Sequence, residues 1–148
     1  MIRIAVDGMG GDNGPAVVVE GAVQAANDFE HLEILLVGPT DILKAELNRH
    51  KVLGGKITIV EAPEVVGMGE SPVAALKKKK NSSIKISIDL LHKKEVDAAI
   101  SAGNTGAMVA ASTLTLGMLP GVKRPGIAIT IPTMHGMCCT LDVGANLN

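Results

Sequence analysis

The chain has 148 residues, 47% apolar and 20% charged, which provides enough apolar sequence for a packed core and argues against a disordered chain. Its formal net charge of −1 indicates no polyanionic partner, and the one aromatic residue, Phe29, offers little stacking surface for single-stranded nucleic acid. A core built almost entirely from aliphatic side chains suits a parallel sheet that is buried on both faces.

The N-terminal sequence and the cysteines indicate where the protein resides. Asp7 interrupts the first apolar run too early for a secretory signal, and no apolar run reaches the ~18 residues that a membrane-spanning helix needs. Cys138 and Cys139 are adjacent and lack the spacing of metal ligands. We therefore expect a cytoplasmic protein without a metal site.

The apolar pattern predicts strands and helices that alternate along most of the chain. Strands are predicted at 2–6, 32–37, 57–60, 96–100, 127–131 and 137–143. Helices are predicted at 15–28, at about 41–50, from 71 through the lysines to 80, at 83–94, and from the 101–107 segment to 116. This alternation predicts right-handed βαβ units and a mainly parallel sheet. Because the last strand runs into 141–146 with no helix after it, we expect the chain to be part of something longer.

Three loops combine glycine with Asp, Asn, Ser or Thr where predicted strands end, at 7–15, 101–107 and 142–146. Ligands bind at this edge of an open parallel sheet. Glycine lets backbone amides approach a ligand, and a helix N-terminus favours an anion, so the loops predict a phosphate site. Each loop alone is also typical of an ordinary turn, with Asn104 as a helix N-cap. Three loops at equivalent strand ends favour the ligand site.

The candidate site residues are those of the three loops that bring backbone amides or polar side chains to this edge. The candidates for binding phosphate or substrate are Asp7, Gly10, Gly11, Asp12, Asn13, Ser101, Gly103 and Thr105, and the catalytic candidates are Asn104, Asp142 and Asn146. The acidic residues are expected to orient other groups rather than act as bases, because carboxylates repel phosphate. For Asp7 and Asp142, simple strand termination is an equal alternative.

Other chemistries lack their signatures. Gly8 and Gly10 fit the first two positions of the dinucleotide fingerprint GxGxxG, but Asn13 occupies the third. The P-loop, the GxSxG nucleophile elbow and the HExxH zinc motif do not occur in the sequence. The four consecutive lysines at 77–80 are either a solvated helix face or a basic patch for an acidic or phosphorylated partner.

Five segments, in this order and spacing, resemble the bacterial phosphate acyltransferases of phospholipid synthesis. They are 1–15, 62–66, 70–72 together with 79–83, 101–107 and 141–146. The resemblance covers the whole chain, although Lys77 stands where the family commonly has arginine. It implies that 1–148 is the N-terminal part of a single α/β acyltransferase domain whose C-terminal half is absent.

The resemblance implies an α/β/α sandwich related to phosphotransacetylase and to isocitrate and isopropylmalate dehydrogenases. It also implies a homodimer that needs no cofactor and converts acyl-ACP (acyl carrier protein) and phosphate to acyl phosphate and free ACP. A glycerol-3-phosphate acyltransferase at the membrane then uses the acyl phosphate, so the resemblance places this protein in the cytoplasm or peripherally at the inner face of the membrane. Candidate contacts to ACP or to phosphate charge are Lys79, Lys80, Ser82 and Ser83.

No nucleophile–base pair is visible, which favours direct attack of phosphate on the thioester. Two other functions stay open at this point. One is a phosphotransacetylase-like enzyme that uses acyl-CoA, and the other is a non-catalytic scaffold that binds ACP.

Overall fold

The computed structural model describes residues 1–53 and 56–141. The chain divides into two compact units, Met1–Gly117 and a second that begins at Met118. Each is described by itself below. Within the described ranges, no helix is both long enough and apolar enough to cross a membrane.

The first unit alternates strands and helices as the apolar pattern predicts. Its strands are β1 (Ile2–Asp7), β2 (Leu32–Gly38), β3 (Ile57–Glu61) and β4 (Ala98–Ile100). Its helices are α1 (Gly14–Asp28), α2 (Thr40–Leu47), α3 (Pro72–Lys78), α4 (Ser83–His92) and α5 (Thr105–Leu116). The predicted boundaries are right to within three residues, and the largest difference is the earlier end of α2, at Leu47 rather than at about 50.

The four strands form one sheet in the order β3-β2-β1-β4, and every neighbouring pair is parallel. Val6 of β1 lies between Leu36 of β2 and Ile100 of β4. The chain moves outward from β1 to β3 and then returns to the other side of β1. The strand order therefore reverses between β1 and β4, which is where open parallel sheets bind ligands. The predicted mainly parallel sheet is confirmed.

Alternating side chains of the central strands build cores on both faces of the sheet. On one face, Ile34 and Leu36 pack with α1 and α2, as Val19 and Leu43 illustrate. On the other face, Val37 belongs to a cluster that includes Leu90 of α4. A third cluster joins α3, α4 and α5. These are the three layers, helix, sheet and helix, of an α/β/α sandwich.

The second unit contains β5 (Ala128–Thr133) and β6 (Gly136–Leu141), which pair antiparallel in a separate sheet. The last strand is therefore not a member of the parallel sheet, and the loop predicted after it at 142–146 lies outside the described residues. Two residues, Met134 and His135, connect the strands. A connection this short permits a hairpin, whereas a parallel pair needs a crossover of about a dozen residues or more.

Candidate functional site

The loops that follow β1 and β4 are in direct contact at the carboxyl edge of the sheet. The Ser101 hydroxyl donates a hydrogen bond to Asp7 Oδ2 at 2.6 Å. Asp7 Oδ1 accepts the Met9 amide at 3.1 Å, and the Ser101 oxygen accepts the Gly103 amide at 3.0 Å. Asp7 is buried and uses both carboxylate oxygens within the protein. This geometry gives Asp7 an orienting role between the two loops.

Gly10 and Gly103 allow the loops to approach this closely. A Cβ atom on Gly10 would lie 2.6 Å from the Gly103 nitrogen and 3.1 Å from the Ala102 nitrogen. The 2.6 Å separation is shorter than real Cβ contacts, and the atom it meets is backbone, which cannot rotate away. The neighbouring Gly11 has a φ of 94°, a conformation that favours glycine. Backbone therefore forms the meeting point of the loops.

Asn104 is the N-cap of α5, as the turn interpretation of its loop expects. Its Oδ1 accepts the Ala107 amide at 2.9 Å. Its Nδ2 donates to the carbonyl oxygens of Gly67, Met68 and Glu70 at 3.2, 3.0 and 3.1 Å. Both ends of the side-chain amide are engaged within the protein, which suits a residue that positions the helix rather than one that donates directly to a ligand.

The N-terminus of α5 supplies hydrogen-bond donors at the same edge. Helix geometry leaves the amides of the first residues, Thr105 and Gly106, without partners inside the helix, and both residues are exposed. The positive end of the helix dipole lies there as well. Ala107, the next residue, donates its amide to Asn104 instead. Two amides without partners inside the helix, both on exposed residues, thus follow the N-cap.

Helix α1 begins at the same edge, because it follows β1 directly. Asp12 and Asn13 are exposed in the loop before it. Asn13 occupies the N-cap position, but its side chain makes no capping hydrogen bond. The two helices that flank the point of strand reversal therefore present their N-termini on the side where the loops meet. Such an arrangement of amides and dipoles can bind an anion such as phosphate.

An apolar groove of about 360 Å³ adjoins this edge. Asp7 and Ala102 lie among its lining residues, and the remaining lining comes from β1, β2, α1 and the tip of β4. Gly21 of α1 leaves space there, since a Cβ on it would have no atom of the described residues within 4 Å. The groove can accept an apolar group beside an anion.

The structure separates the basic and serine residues that were grouped as charge contacts. Lys80 is exposed, as are Lys77 and Lys78. Ser82 and Ser83 are 0% and 1% exposed, so they face the interior and offer no surface to a protein partner. Ser83 instead donates its amide to the Glu64 carbonyl, which ties the start of α4 to the chain after β3.

Lys79, unlike the other lysines of the run, is partly buried and contacts the chain before α3. Its Nζ donates to Glu70 Oε1 at 2.5 Å and to the Val65 carbonyl oxygen at 2.7 Å. The Lys79 hydrogen bond, with the Gly67 amide second, lowers the pKa of the Glu70 carboxyl below its ordinary value of 4.5. The sequence motif at 70–72 included Glu70 but gave it no role. Its contacts with Lys79 and Gly67 arise only in the folded chain.

Two of the catalytic candidates, Asp142 and Asn146, lie outside the described residues. Among the described candidates, the fold brings Asp7, Gly10, Ser101 and Gly103 into mutual contact. Those farther along the loops, namely Gly11, Asp12, Asn13 and Thr105, lie at the same sheet edge.

Comparisons with known proteins give a consistent result. The sequence profile of a family described as "Fatty acid synthesis protein" matches residues 2–148. Proteins named phosphate acyltransferase from Geobacter sulfurreducens and Salinibacter ruber are each 49% identical, over 147 and 148 residues and 99% of this chain. The chain spans only 42% and 44% of those two proteins.

A solved structure shares the fold. The EutD phosphotransacetylase from Staphylococcus aureus matches with a TM-score of 0.59 and 16% sequence identity, over 90% of this chain and 43% of the other. At this identity the likeness concerns the fold alone. It confirms the expected relation to the phosphotransacetylase fold.

Proposed function

Because this chain belongs to the family of fatty acid synthesis proteins, we propose that it forms the phosphate-binding part of an acyltransferase that converts acyl-ACP and inorganic phosphate to acyl phosphate and free ACP. One observation carries the proposal: two glycine-rich loops lie in contact where the strand order reverses. The names of the similar proteins support phosphate as the acceptor.

Phosphate binds, in this proposal, to main-chain amides rather than to a cluster of basic side chains. The donors are the amides of 11–13, the part of the first loop that follows the amides already bonded to Val37 and Asp7, and those of Thr105 and Gly106 at the start of α5. Asp7 holds the two loops together through its buried carboxylate. Because both of its oxygens accept hydrogen bonds from the protein, part of its charge is compensated before an anion arrives.

The proposed reaction is a direct displacement. A phosphate oxygen attacks the carbonyl carbon of the thioester, and a carbon–oxygen bond forms. The tetrahedral intermediate then collapses, the carbon–sulfur bond breaks, and the thiolate of ACP leaves and takes up a proton. Amides that also reach the oxyanion of the intermediate would each lower the barrier by roughly 3–4 kcal/mol. The apolar groove beside the loops supports an acyl chain as the group transferred.

The exposed lysines of the 77–80 run support an acidic protein partner. We assign the ACP contact to Lys77, Lys78 and Lys80, which project into solvent, and not to the buried Ser82 and Ser83. Family membership further supports a homodimer and a glycerol-3-phosphate acyltransferase as the enzyme that uses the acyl phosphate.

The proposal is tested with a protein of the relatives' full length that carries this chain. Incubated with palmitoyl-ACP, it should release free ACP thiol only when phosphate is present, and acyl phosphate should accumulate in equal amount. Thioester loss without phosphate would indicate hydrolysis and contradict the proposal. Faster reaction with acetyl-CoA than with acyl-ACP would favour the phosphotransacetylase-like alternative, and binding of ACP without turnover would favour a scaffold.

A further inference from the structure

The segment 65–70, called here the 65–70 loop, contacts two other parts of the chain. It binds Lys79 of the lysine run on one side and Asn104 at the start of α5 on the other. Glu70 Oε1 accepts two hydrogen bonds, from Lys79 Nζ at 2.5 Å and from the Gly67 amide at 2.7 Å. Lys79 Nζ also donates to the Val65 carbonyl oxygen at 2.7 Å. One ammonium group therefore binds both ends of the loop and closes it into a turn.

The closed loop presents its carbonyl groups to Asn104. The oxygens of Gly67, Met68 and Glu70 all accept from Asn104 Nδ2, within 3.2 Å. An asparagine side chain held in this way cannot rotate, and its Oδ1 is fixed on the Ala107 amide. The orientation of the first turn of α5 thus depends on where the loop places three carbonyl groups.

Lys79 differs in this respect from the lysines on either side of it. Its side chain is 31% exposed, and its ammonium group is committed to the 65–70 loop. Lys78 and Lys80 are exposed. A lysine that only supplied positive charge to a surface would not need two acceptors from one loop.

We propose that Lys79 and Glu70 are positioning residues of the anion site, acting through the 65–70 loop and Asn104 to hold the amides of Thr105 and Gly106 in their binding orientation. This inference rests on the proposed function insofar as phosphate is the ligand. Neither residue touches the ligand. Their effect passes through Asn104, the N-cap of α5, which directly precedes Thr105 and Gly106 in the chain.

A partly exposed ion pair adds little to global stability. Removing Lys79 should therefore change the urea midpoint only slightly, while the loop opens and the acceptors of Asn104 move. We expect Lys79→Ala and Glu70→Gln to weaken phosphate binding by roughly five- to tenfold, the effect of about one poorly placed hydrogen bond. Lys79→Arg retains donors for both acceptors, so its Kd for phosphate should lie within about threefold of that of the unsubstituted chain.

The experiment measures phosphate affinity by calorimetry and amide hydrogen exchange by NMR, with inorganic phosphate and the 148-residue chain. The charge-matched control is Lys93→Ala, because Lys93 is an exposed lysine at the far end of α4. Exchange of the Ala107 amide should accelerate in Lys79→Ala and remain unchanged in the control. If Lys79 acts through Asn104, adding Lys79→Ala to Asn104→Ala should cause no further loss of affinity.

Three results would overturn the inference. If Lys79→Ala and Lys93→Ala weakened phosphate binding equally, the effect would come from the loss of positive charge alone. Additive losses in the double variant would mean that Lys79 acts directly on the anion. Unchanged exchange of Ala107 in Lys79→Ala would contradict the coupling through Asn104. If the unsubstituted chain fails to bind phosphate, the proposed function is contradicted, and the Ala107 exchange still decides the positioning role.

Discussion

At the scale of single residues, Gly10 is a position of the site where backbone leaves no room for a side chain. An added methyl group would lie 2.6 Å from the Gly103 backbone nitrogen, so Gly10→Ala must push the two loops apart. We expect a loss of about 1–3 kcal/mol in the free energy of unfolding and a loss of phosphate binding. Urea unfolding and calorimetry measure the two effects.

The matched control is Gly69→Ala, since a Cβ on Gly69 would have no described atom within 4 Å. Its free energy of unfolding should lie within about 0.5 kcal/mol of that of the unsubstituted chain. If Gly10→Ala behaved in the same way, the loops would not be in the close contact described.

The Glu70 carboxyl gives a pH-dependent prediction. Its pKa is lowered first by the Lys79 hydrogen bond and then by the Gly67 amide, so the folded value lies below 4.5. A lowered folded pKa contributes stability that is complete above the unfolded pKa and is lost as the pH falls through the folded value. Protection of the Gly67 amide should therefore be complete above pH 4.5 and should be lost only at lower pH, as the Glu70 carboxyl takes up its proton.

In Glu70→Gln this part of the pH dependence should disappear, because the amide does not titrate in the range. The measurement is hydrogen exchange of Gly67 against pH in both proteins. Identical profiles for the two proteins would show that another group controls the loop.

At the scale of elements, Asn104 joins the cap of α5 to the 65–70 loop, and one substitution separates these two functions. Asn104→Asp retains an oxygen for the Ala107 amide and suits a helix N-terminus. It also places a carboxylate against three carbonyl oxygens that now accept hydrogen bonds. We expect the Ala107 amide to stay protected while the Gly67 amide exchanges faster.

Asn104→Ala removes both functions and should expose both amides, at a cost of about 1–2 kcal/mol for the lost cap alone. Hydrogen exchange of the two variants distinguishes the roles. Protection of Gly67 in Asn104→Asp equal to that of the unsubstituted chain would contradict the coupling between cap and loop.

Helix α1 contains two glycines with opposite expectations. Gly21 lies in the helix interior with open space around its Cα, so Gly21→Ala should stabilise the unit by up to about 1 kcal/mol. Gly14, where α1 begins, has a φ of 68°, and Gly14→Ala should destabilise by about 1–2 kcal/mol. Urea denaturation measures both, and a destabilised Gly21→Ala would mean that the groove beside α1 is filled.

The elements that sequence reasoning located correctly are those with a strong apolar period. The buried runs of β1 and β2 and the spacing of apolar residues in α1 depend only on neighbouring residues, and these elements lie where they were predicted. The β5–β6 hairpin was missed because apolar content gives no strand direction. The strand direction follows from the length of the connection, because two residues are too few for the crossover that a parallel pair needs.

The finer structure of the site could not be predicted in this way. Asn104 takes its carbonyl partners from residues 34 to 37 positions earlier in the chain, and no local pattern encodes that pairing. Glu70 and Lys79 likewise gain their roles through the turn of the 65–70 loop. The glycine-rich loops were recognised because close backbone approach requires the residue type itself, as the contact between Gly10 and Gly103 illustrates.

At the scale of the whole molecule, the candidate site exists only when the sheet is formed. The loops after β1 and β4 come from segments more than 90 positions apart, and the strand reversal brings them together. A ligand that binds there must therefore stabilise the folded chain, by about 2.7 kcal/mol when phosphate is present at 100 times its Kd. Phosphate that binds weakly to exposed lysines would stabilise the folded chain less, because those lysines are also accessible in the unfolded chain. The size of the stabilisation therefore distinguishes binding at the loops from binding at the lysines.

The most direct measurement is an NMR titration of the ¹⁵N-labelled chain with inorganic phosphate at constant ionic strength. We expect the amides of Gly11, Asp12, Thr105 and Gly106 to shift along one saturable curve with a single Kd. Shifts confined to the 77–80 lysines, or shifts at the two loops with different affinities, would contradict a common phosphate site formed by both loops.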